Sequence, residues 1–133
     1  MVLDTSAVVA ILLREPDAER LARYLADAPV RLMSAVTRVE LSFVIEGRYG
    51  VAGRTDLERL LADTRIEIAA VTAQQAEVAI DAFRRYGKGR HTAALNIGDC
   101  FAYALAKTTD LPLLFKGGDF ARTDIRPAHL PAR

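Results

Sequence analysis

Four acidic residues occupy positions where a solvated carboxylate is not expected. Asp4 directly follows Val2–Leu3, an apolar pair that predicts a buried strand, and Asp119 follows another apolar segment through two glycines. Glu40 and Asp99 lie at helical spacing with apolar residues, on stripes predicted to face inward. An isolated buried carboxylate is costly unless it is paired, protonated or bound to a metal ion. These four positions are therefore the candidate site.

Each acid taken alone also has a structural explanation. Asp4 could cap the following helix, and Asp99 could complement the dipole of its own helix. Glu40 could pair with Arg38 or a neighbouring Arg, and Asp119 could form an Asx turn. Two strand-end acids and two inward helix acids can nevertheless converge on one edge of a parallel sheet, where such folds bind their ligands. We therefore expect the four carboxylates to act together.

Four converging carboxylates repel one another unless a cation neutralises them. Oxygen ligands suit Mg²⁺ or Mn²⁺, and paired ions bound by carboxylates support phosphoryl chemistry. Zinc fits poorly, because His91, His129 and Cys100 have no zinc-ligand spacing. The residues thus indicate a hard divalent ion.

The elements that must position these acids alternate between short strands and helices, which is typical of an α/β fold with a mainly parallel sheet. We predict four to five strands, with cores at Val2–Asp4, Arg31–Ser34, Ile66–Ile68 and Leu113–Phe115. The predicted helices cover Ser6–Leu13, Asp17–Ala28, Ser34–Tyr49, a segment from Thr55 or Asp56 to Asp63, a segment that starts at Thr72 and turns Val78, Ala79 and Phe83 inward, and Gly98–Thr109. Phe43 is likewise expected on the inward stripe of Glu40.

Composition limits the class of protein. The chain has 133 residues, 51% of them hydrophobic and 26% charged, which fits one soluble domain over residues 1–133. The single Cys100 permits no internal disulfide and suits a reducing cytoplasm. No apolar run approaches the ~20 residues that span a bilayer, and no signal peptide is evident. A P-loop motif is absent from the sequence, which excludes that mode of nucleotide binding.

Around these acids the sequence resembles the PIN-domain ribonucleases, and among them the VapC toxins of bacterial VapBC toxin–antitoxin pairs. The resemblance covers essentially the whole chain in the family's order. The matching segments are Asp4–Ser6, Ser34–Leu41, Asn96–Ala106, Leu114–Phe120 and Thr123–Ile125. It implies a PIN-like fold and a Mg²⁺- or Mn²⁺-dependent endoribonuclease that leaves a 5′-phosphate and a 3′-hydroxyl.

The resemblance also implies the roles of individual residues. Its acidic metal-binding set corresponds here to Asp4, Glu40, Asp99 and Asp119. Ser6 would be a supporting hydroxyl, with Thr5 a weaker candidate, and Asn96 would orient Asp99 or a water. Gly98 would let its helix approach the site.

Partners follow from the same resemblance. It implies an RNA substrate, a VapB-type antitoxin, a homodimer and no membrane. RNA contact is expected from a glycine-containing basic loop that includes Arg84, Arg85, Lys88, Arg90 and His91, although a solvated helix end explains these residues equally well. The apolar helices near Ala18–Ala28 and Val39–Ile45 are candidate docking surfaces, with plain core as the alternative explanation.

One position departs from the family pattern. The residue before the fourth acid is often polar in the family, and here it is Gly118, with Asp124 as a candidate substitute ligand. A catalytically weak PIN module that binds RNA or protein is therefore the alternative function. Two other phosphotransfer folds fit less well: a haloacid-dehalogenase-like enzyme would need an acid at Ser6, and a receiver domain would need an early acidic pair.

Overall fold

The structure is a computed structural model that describes residues 1–128, so His129 lies outside the described residues. Its centre is a four-stranded sheet in which all strands are parallel, in the order β3-β2-β1-β4. The strands are β1 (Val2–Leu3), β2 (Leu32–Ser34), β3 (Glu67–Ala69) and β4 (Leu113–Leu114). This arrangement confirms the predicted α/β class and the parallel sheet.

Within residues 1–128, five helices flank the sheet. They are α1 (Thr5–Leu12), α2 (Ala18–Asp27), α3 (Ala35–Asp63), α4 (Ala73–Tyr86) and α5 (Ile97–Thr109), and a 3₁₀ turn follows at Phe120–Arg122. Ser34 caps α3 and Thr72 caps α4 through their side chains, as the sequence predicted. The two helices predicted before and after Gly50 are joined into α3, which is broken at that glycine (φ +61°).

Successive residues of each central strand point to opposite faces of the sheet, and each face has its own core. Val2 and Leu113 pack with α4 and α5, whereas Leu3 and Leu114 pack with α1, α2 and α3. The helix α5 is buried on nearly all sides, as predicted. Among the described residues, none of the helices has the length and apolar character needed to cross a membrane.

Two aromatic side chains predicted to face inward lie on the surface. Phe43 is 76% exposed and Phe83 is 41% exposed. On α3 the buried stripe consists instead of Thr37, Leu41 and Ile45, and it lies on a neighbouring face of the helix from Phe43. Spacing alone could not distinguish these adjacent stripes, because both are apolar.

Candidate active site

Asp4 directly follows β1 and is the N-terminal capping residue of α1. Its Oδ2 accepts hydrogen bonds from the Ser6 backbone N–H (3.0 Å) and from Ser6 Oγ (2.5 Å). The side chain is buried, and Oδ1 has no hydrogen-bond partner. Burial raises the pKa of the Asp4 carboxyl; the Ser6 bonds oppose this shift, and the neighbouring Glu40 adds to it. Capping thus uses one oxygen of Asp4 and leaves the other without a partner.

Ser6 connects the ends of two adjacent strands. Its hydroxyl donates to Asp4 and accepts a hydrogen bond from the backbone N–H of Lys116 (3.0 Å), which lies just after β4. The predicted supporting hydroxyl therefore holds Asp4 and the β4 end together.

Glu40 lies half-buried on α3, beside the beginnings of α1 and α5. Its Oε1 accepts a hydrogen bond from Thr5 Oγ1, so the weaker hydroxyl candidate contacts the second acid directly. A Cβ atom at Gly98 would lie 2.2 Å from Glu40 Oε2. Glycine at position 98 is thus what allows the start of α5 to approach this carboxylate. The proposed pairing with Arg38 is not formed, since that guanidinium donates to Ser42 Oγ.

Asp99 and Asn96 form a capping box at the start of α5. The Asn96 N–H donates to Asp99 Oδ2 (3.0 Å), and the Asp99 N–H donates to Asn96 Oδ1 (2.9 Å). The Asn96 backbone N–H therefore fixes one oxygen of the Asp99 carboxylate, while the Asn96 side chain caps the helix. Burial, together with the nearby charges of Asp4, Glu40 and Asp119, raises the pKa of Asp99 to about 7, against the opposing Asn96 bond.

Asp119 is the most exposed of the four acids. It precedes the 3₁₀ turn, and its side chain makes no capping hydrogen bond. Gly117, two residues earlier, has φ +96°, a conformation that favours glycine, whereas a Cβ atom at Gly118 would meet open space. The loop therefore delivers Asp119 to the site without fixing its carboxylate.

The four acids come from four separate segments, and Asp4, Glu40 and Asp119 all lie close enough to Asp99 to raise its pKa. They do not form a closed ligand shell: in residues 1–128, no three or more His, Cys, Asp or Glu side chains are spaced to hold a metal ion. Asp124, the candidate substitute, belongs elsewhere. Its carboxylate accepts from Tyr103 OH (2.6 Å) and contacts Lys107 Nζ at 3.1 Å.

The basic residues divide into two groups. All five are exposed, but Arg84 and Arg85 lie in the last turn of α4 and not in the loop. The Arg85 guanidinium is 3.4 Å from Asp124 and 3.7 Å from Asp81, and His91 Nδ1 accepts the Ala93 N–H at 3.0 Å. These two residues serve local structure. Arg84 and Lys88 remain as candidate phosphate contacts together with Arg90, whose guanidinium also lies over the Phe83 ring at 5.2 Å.

Comparison with known proteins agrees with this fold. The PIN domain family matches residues 1–126. A Ribonuclease VapC from Mycolicibacterium smegmatis is 54% identical over 129 residues, which cover 97% of this chain and 100% of the relative. Ribonuclease VapC30 from Mycobacterium tuberculosis is 50% identical over 131 residues, covering 98% of this chain and 100% of the relative. The chain therefore belongs to the PIN-domain family and, within it, to the VapC ribonucleases.

Two solved structures share the fold at low sequence identity. The sarcin–ricin-loop-cleaving toxin VapC20 from Mycobacterium tuberculosis superposes with a TM-score of 0.75 at 18% identity, covering 93% of this chain and 95% of the other. A chain of a toxin–antitoxin complex from Klebsiella pneumoniae gives a TM-score of 0.68 at 22% identity, with 92% of each chain covered. These similarities concern the fold alone.

Proposed function

We propose that this protein is a Mg²⁺- or Mn²⁺-dependent endoribonuclease and the toxin of a type II toxin–antitoxin pair. Asp4, Glu40, Asp99 and Asp119 form its catalytic and metal-binding set. The single observation that carries the proposal is the convergence of three acids from other segments of the chain, Asp4, Glu40 and Asp119, on Asp99, whose pKa they raise. Membership of the VapC ribonucleases supports the same activity.

The donor chemistry fits a hard divalent cation. All the candidate ligands are carboxylate oxygens, and Asp4 Oδ1 is buried without a partner. Because no three acids among residues 1–128 are yet spaced as ligands, binding requires side chains to reorient, and Asp119 has the exposure to do so. When bound, such an ion would activate a water and neutralise charge at the scissile phosphate.

The protein's own residues hold this site in place. Ser6 fixes one oxygen of Asp4, and Thr5 holds Glu40. Asn96 fixes the rotamer of Asp99 through the capping box. These bonds preorganise three of the four acids, which lowers the cost of assembling the site around an ion and an RNA phosphate.

RNA would be held by the exposed cations Arg84, Lys88 and Arg90. Their phosphate contacts are independent of sequence and sensitive to salt. The geometry therefore supports binding of an RNA backbone and does not select a particular RNA.

The proposed partners are a VapB-type antitoxin and a second copy of the chain, in the cytoplasm. The structural neighbour from Klebsiella pneumoniae is itself a toxin–antitoxin complex. In the predicted docking segment, Val39 and Phe43 are 51% and 76% exposed beside Glu40, whereas Leu41 and Ile45 belong to the buried core.

The direct test is RNA cleavage by purified antitoxin-free protein with Mg²⁺ or Mn²⁺, with excess chelator, and by the Asp99→Asn variant. Chelator and substitution should both abolish cleavage. Glu19→Gln is a matched control, since Glu19 is an acid in the first turn of another helix; this variant should cleave normally. Cleavage by Asp99→Asn at the wild-type rate would contradict the assignment of that residue.

The alternative is a PIN module that binds RNA or protein with little catalysis. Gly118 in place of a polar residue, together with the open spacing of the acids within residues 1–128, favours it. Metal-dependent binding without cleavage, across many RNAs and both metals, would support this alternative.

A further inference from the structure

Lys116 lies between β4 and the glycine pair that leads to Asp119. Its backbone N–H donates to Ser6 Oγ at 3.0 Å, and the same hydroxyl donates to Asp4 Oδ2 at 2.5 Å. The main chain at Lys116 is therefore linked to the buried Asp4 through a single side chain, that of Ser6. Any shift of this main chain would alter the hydroxyl that orients Asp4.

The Lys116 side chain reaches the connection between α1 and α2. Its Nζ donates to Glu15 Oε2 and lies 3.2 Å from Asp17 Oδ1. All three side chains are between 25% and 34% exposed. An ammonium group with two acidic partners is already neutralised, so it is poorly placed to serve as an RNA phosphate contact.

The two acidic partners lie in the connection between α1 and α2, which is held by backbone hydrogen bonds. Arg14 adopts φ +54° at the end of α1, and the Glu15 N–H donates back to the Ala10 carbonyl at 3.0 Å, which is the Schellman pattern. The Ala18 N–H then donates to the Glu15 carbonyl at 2.9 Å. The Lys116 side chain is therefore paired with acids of a hydrogen-bonded turn.

The loop beyond Lys116 has few constraints of its own. Gly117 and Gly118 contribute no side chains, and Asp119 is exposed without a capping bond. The buried rings of Phe115 and Phe120 bracket the loop, with centroids 5.4 Å apart. Between these rings, the Lys116 side chain is the one described side chain that ties the loop to another part of the fold.

We infer that Lys116 is a positioning residue: by pairing with Glu15 and Asp17 it fixes the β4 end, and thereby both the Ser6–Asp4 bond and the starting point of the Asp119 loop. The inference rests on the proposed function, because it concerns the geometry of the same four acids. Lys116 acts through these neighbours and not by touching the substrate.

The test compares substitutions on both sides of the ion pair in the full chain. Lys116→Met removes the charge and keeps the stem, and Lys116→Arg keeps the charge. Glu15→Gln combined with Asp17→Asn removes the partners while leaving Lys116 intact. Asp17 makes no side-chain capping bond, so Asn at that position removes none. Lys107→Met is the matched control. Lys107 also forms an ion pair, with Asp124 at 3.1 Å, but this pair is not part of the four-acid site.

Two readouts separate positioning from other roles. Steady-state kinetics should show kcat lower by roughly 10–100-fold in Lys116→Met and in the Glu15/Asp17 variant, with KM for RNA unchanged. Lys116→Arg should recover most of this loss, and combining all three changes should cost no more than either alone. In metal-free protein, hydrogen exchange at the amide of residue 116 should accelerate in both deficient variants and not in Lys107→Met.

A direct RNA contact predicts a different pattern. Lys116→Met would then raise KM, and neutralising Glu15 and Asp17 would lower it by freeing the ammonium group; either result overturns the inference. The inference is also overturned if the amide of residue 116 exchanges its hydrogen as slowly in Lys116→Met and in the Glu15/Asp17 variant as it does in the wild type. If the wild-type chain cuts no RNA, the proposed function fails, and the exchange measurement still decides the positioning role independently. If Lys116→Met does not fold, the Glu15/Asp17 variant carries the same test.

Discussion

Replacing Asp99 by Asn should stabilise the metal-free protein while it abolishes cleavage. Burial and the nearby acids raise the pKa of Asp99 to about 7 in the folded state, from an ordinary value of 3.8. The unfolded chain therefore releases this proton near pH 4, whereas the folded chain retains it until about pH 7. Across that interval the folded state loses stability as pH rises, because its carboxyl group ionises less readily. Asn carries no charge, and its side-chain oxygen can still accept the Asn96 N–H.

The structure gives the size of this effect. A carboxyl pKa raised from 3.8 to about 7 corresponds to roughly 4 kcal/mol against the ionised form. Asp99 is only half-buried, and solvent screening reduces the usable figure to roughly 1–2 kcal/mol. Asn also lacks the favourable interaction of the Asp99 carboxylate with the helix dipole, which reduces this stabilisation by a few tenths of a kcal/mol or more. For a domain of this size, the Tm above pH 7 should rise by roughly 3–10 °C.

The assay is thermal unfolding with chelator between pH 4 and pH 8.5. The gain of Asp99→Asn over wild type should be largest above pH 7 and should shrink toward pH 4. Glu19→Gln removes an acid from a first helical turn outside the site, so its Tm should stay level or fall slightly at every pH. Adding Mn²⁺ should narrow the gap by stabilising the wild type. A gain that is absent at pH 8, or equal at pH 4 and pH 8, would refute the electrostatic reasoning.

Three further predictions concern the residues around the acids. Gly98→Ala would place a methyl group 2.2 Å from Glu40 Oε2, so the Glu40 carboxylate must move and kcat should fall roughly 10–100-fold; an unchanged kcat would show that this contact is unimportant. Gly117→Ala should destabilise by about 1–2 kcal/mol in denaturant titrations because φ is +96°, whereas Gly118→Ala should be neutral to within about 0.5 kcal/mol; equal effects would contradict the backbone assignment. Changing Arg84 and Lys88 to Gln should reduce the log–log salt slope of RNA binding by about 1.4, and an unchanged slope would mean that neither touches phosphate.

The sequence predicted the fold well where local patterns and burial agree. Strand cores, helix caps at Ser34 and Thr72, and the buried helix α5 were all predicted within a residue or two. The inward placement of Phe43 and Phe83 was wrong, because adjacent helical stripes were both apolar and the sheet alone decides which one is covered. Periodicity identifies an apolar face, but tertiary packing selects it.

Within the site, residue type identified the acids but could not show how they are held. The Thr5 bond to Glu40 joins residues 35 apart, and the Lys116 bond to Ser6 joins residues 110 apart. No local pattern encodes such contacts. The signal for Lys116 was present only indirectly, as a lysine at the end of a core strand before two glycines. Asp124, in contrast, looked like a spare ligand and proved to be paired with Tyr103 and Lys107.

The structural and functional explanations of the acids are compatible, and this is why sequence alone could not choose between them. Asp4 caps α1 through Oδ2, and Asp99 closes a capping box through its own Oδ2. A carboxylate has two oxygens, so a cap that engages one of them also fixes the direction of the other. In Asp4 that second oxygen is buried and has no partner. Helix capping is thus the device that orients these two acids, and loss of the cap should weaken the site even where the charge is kept.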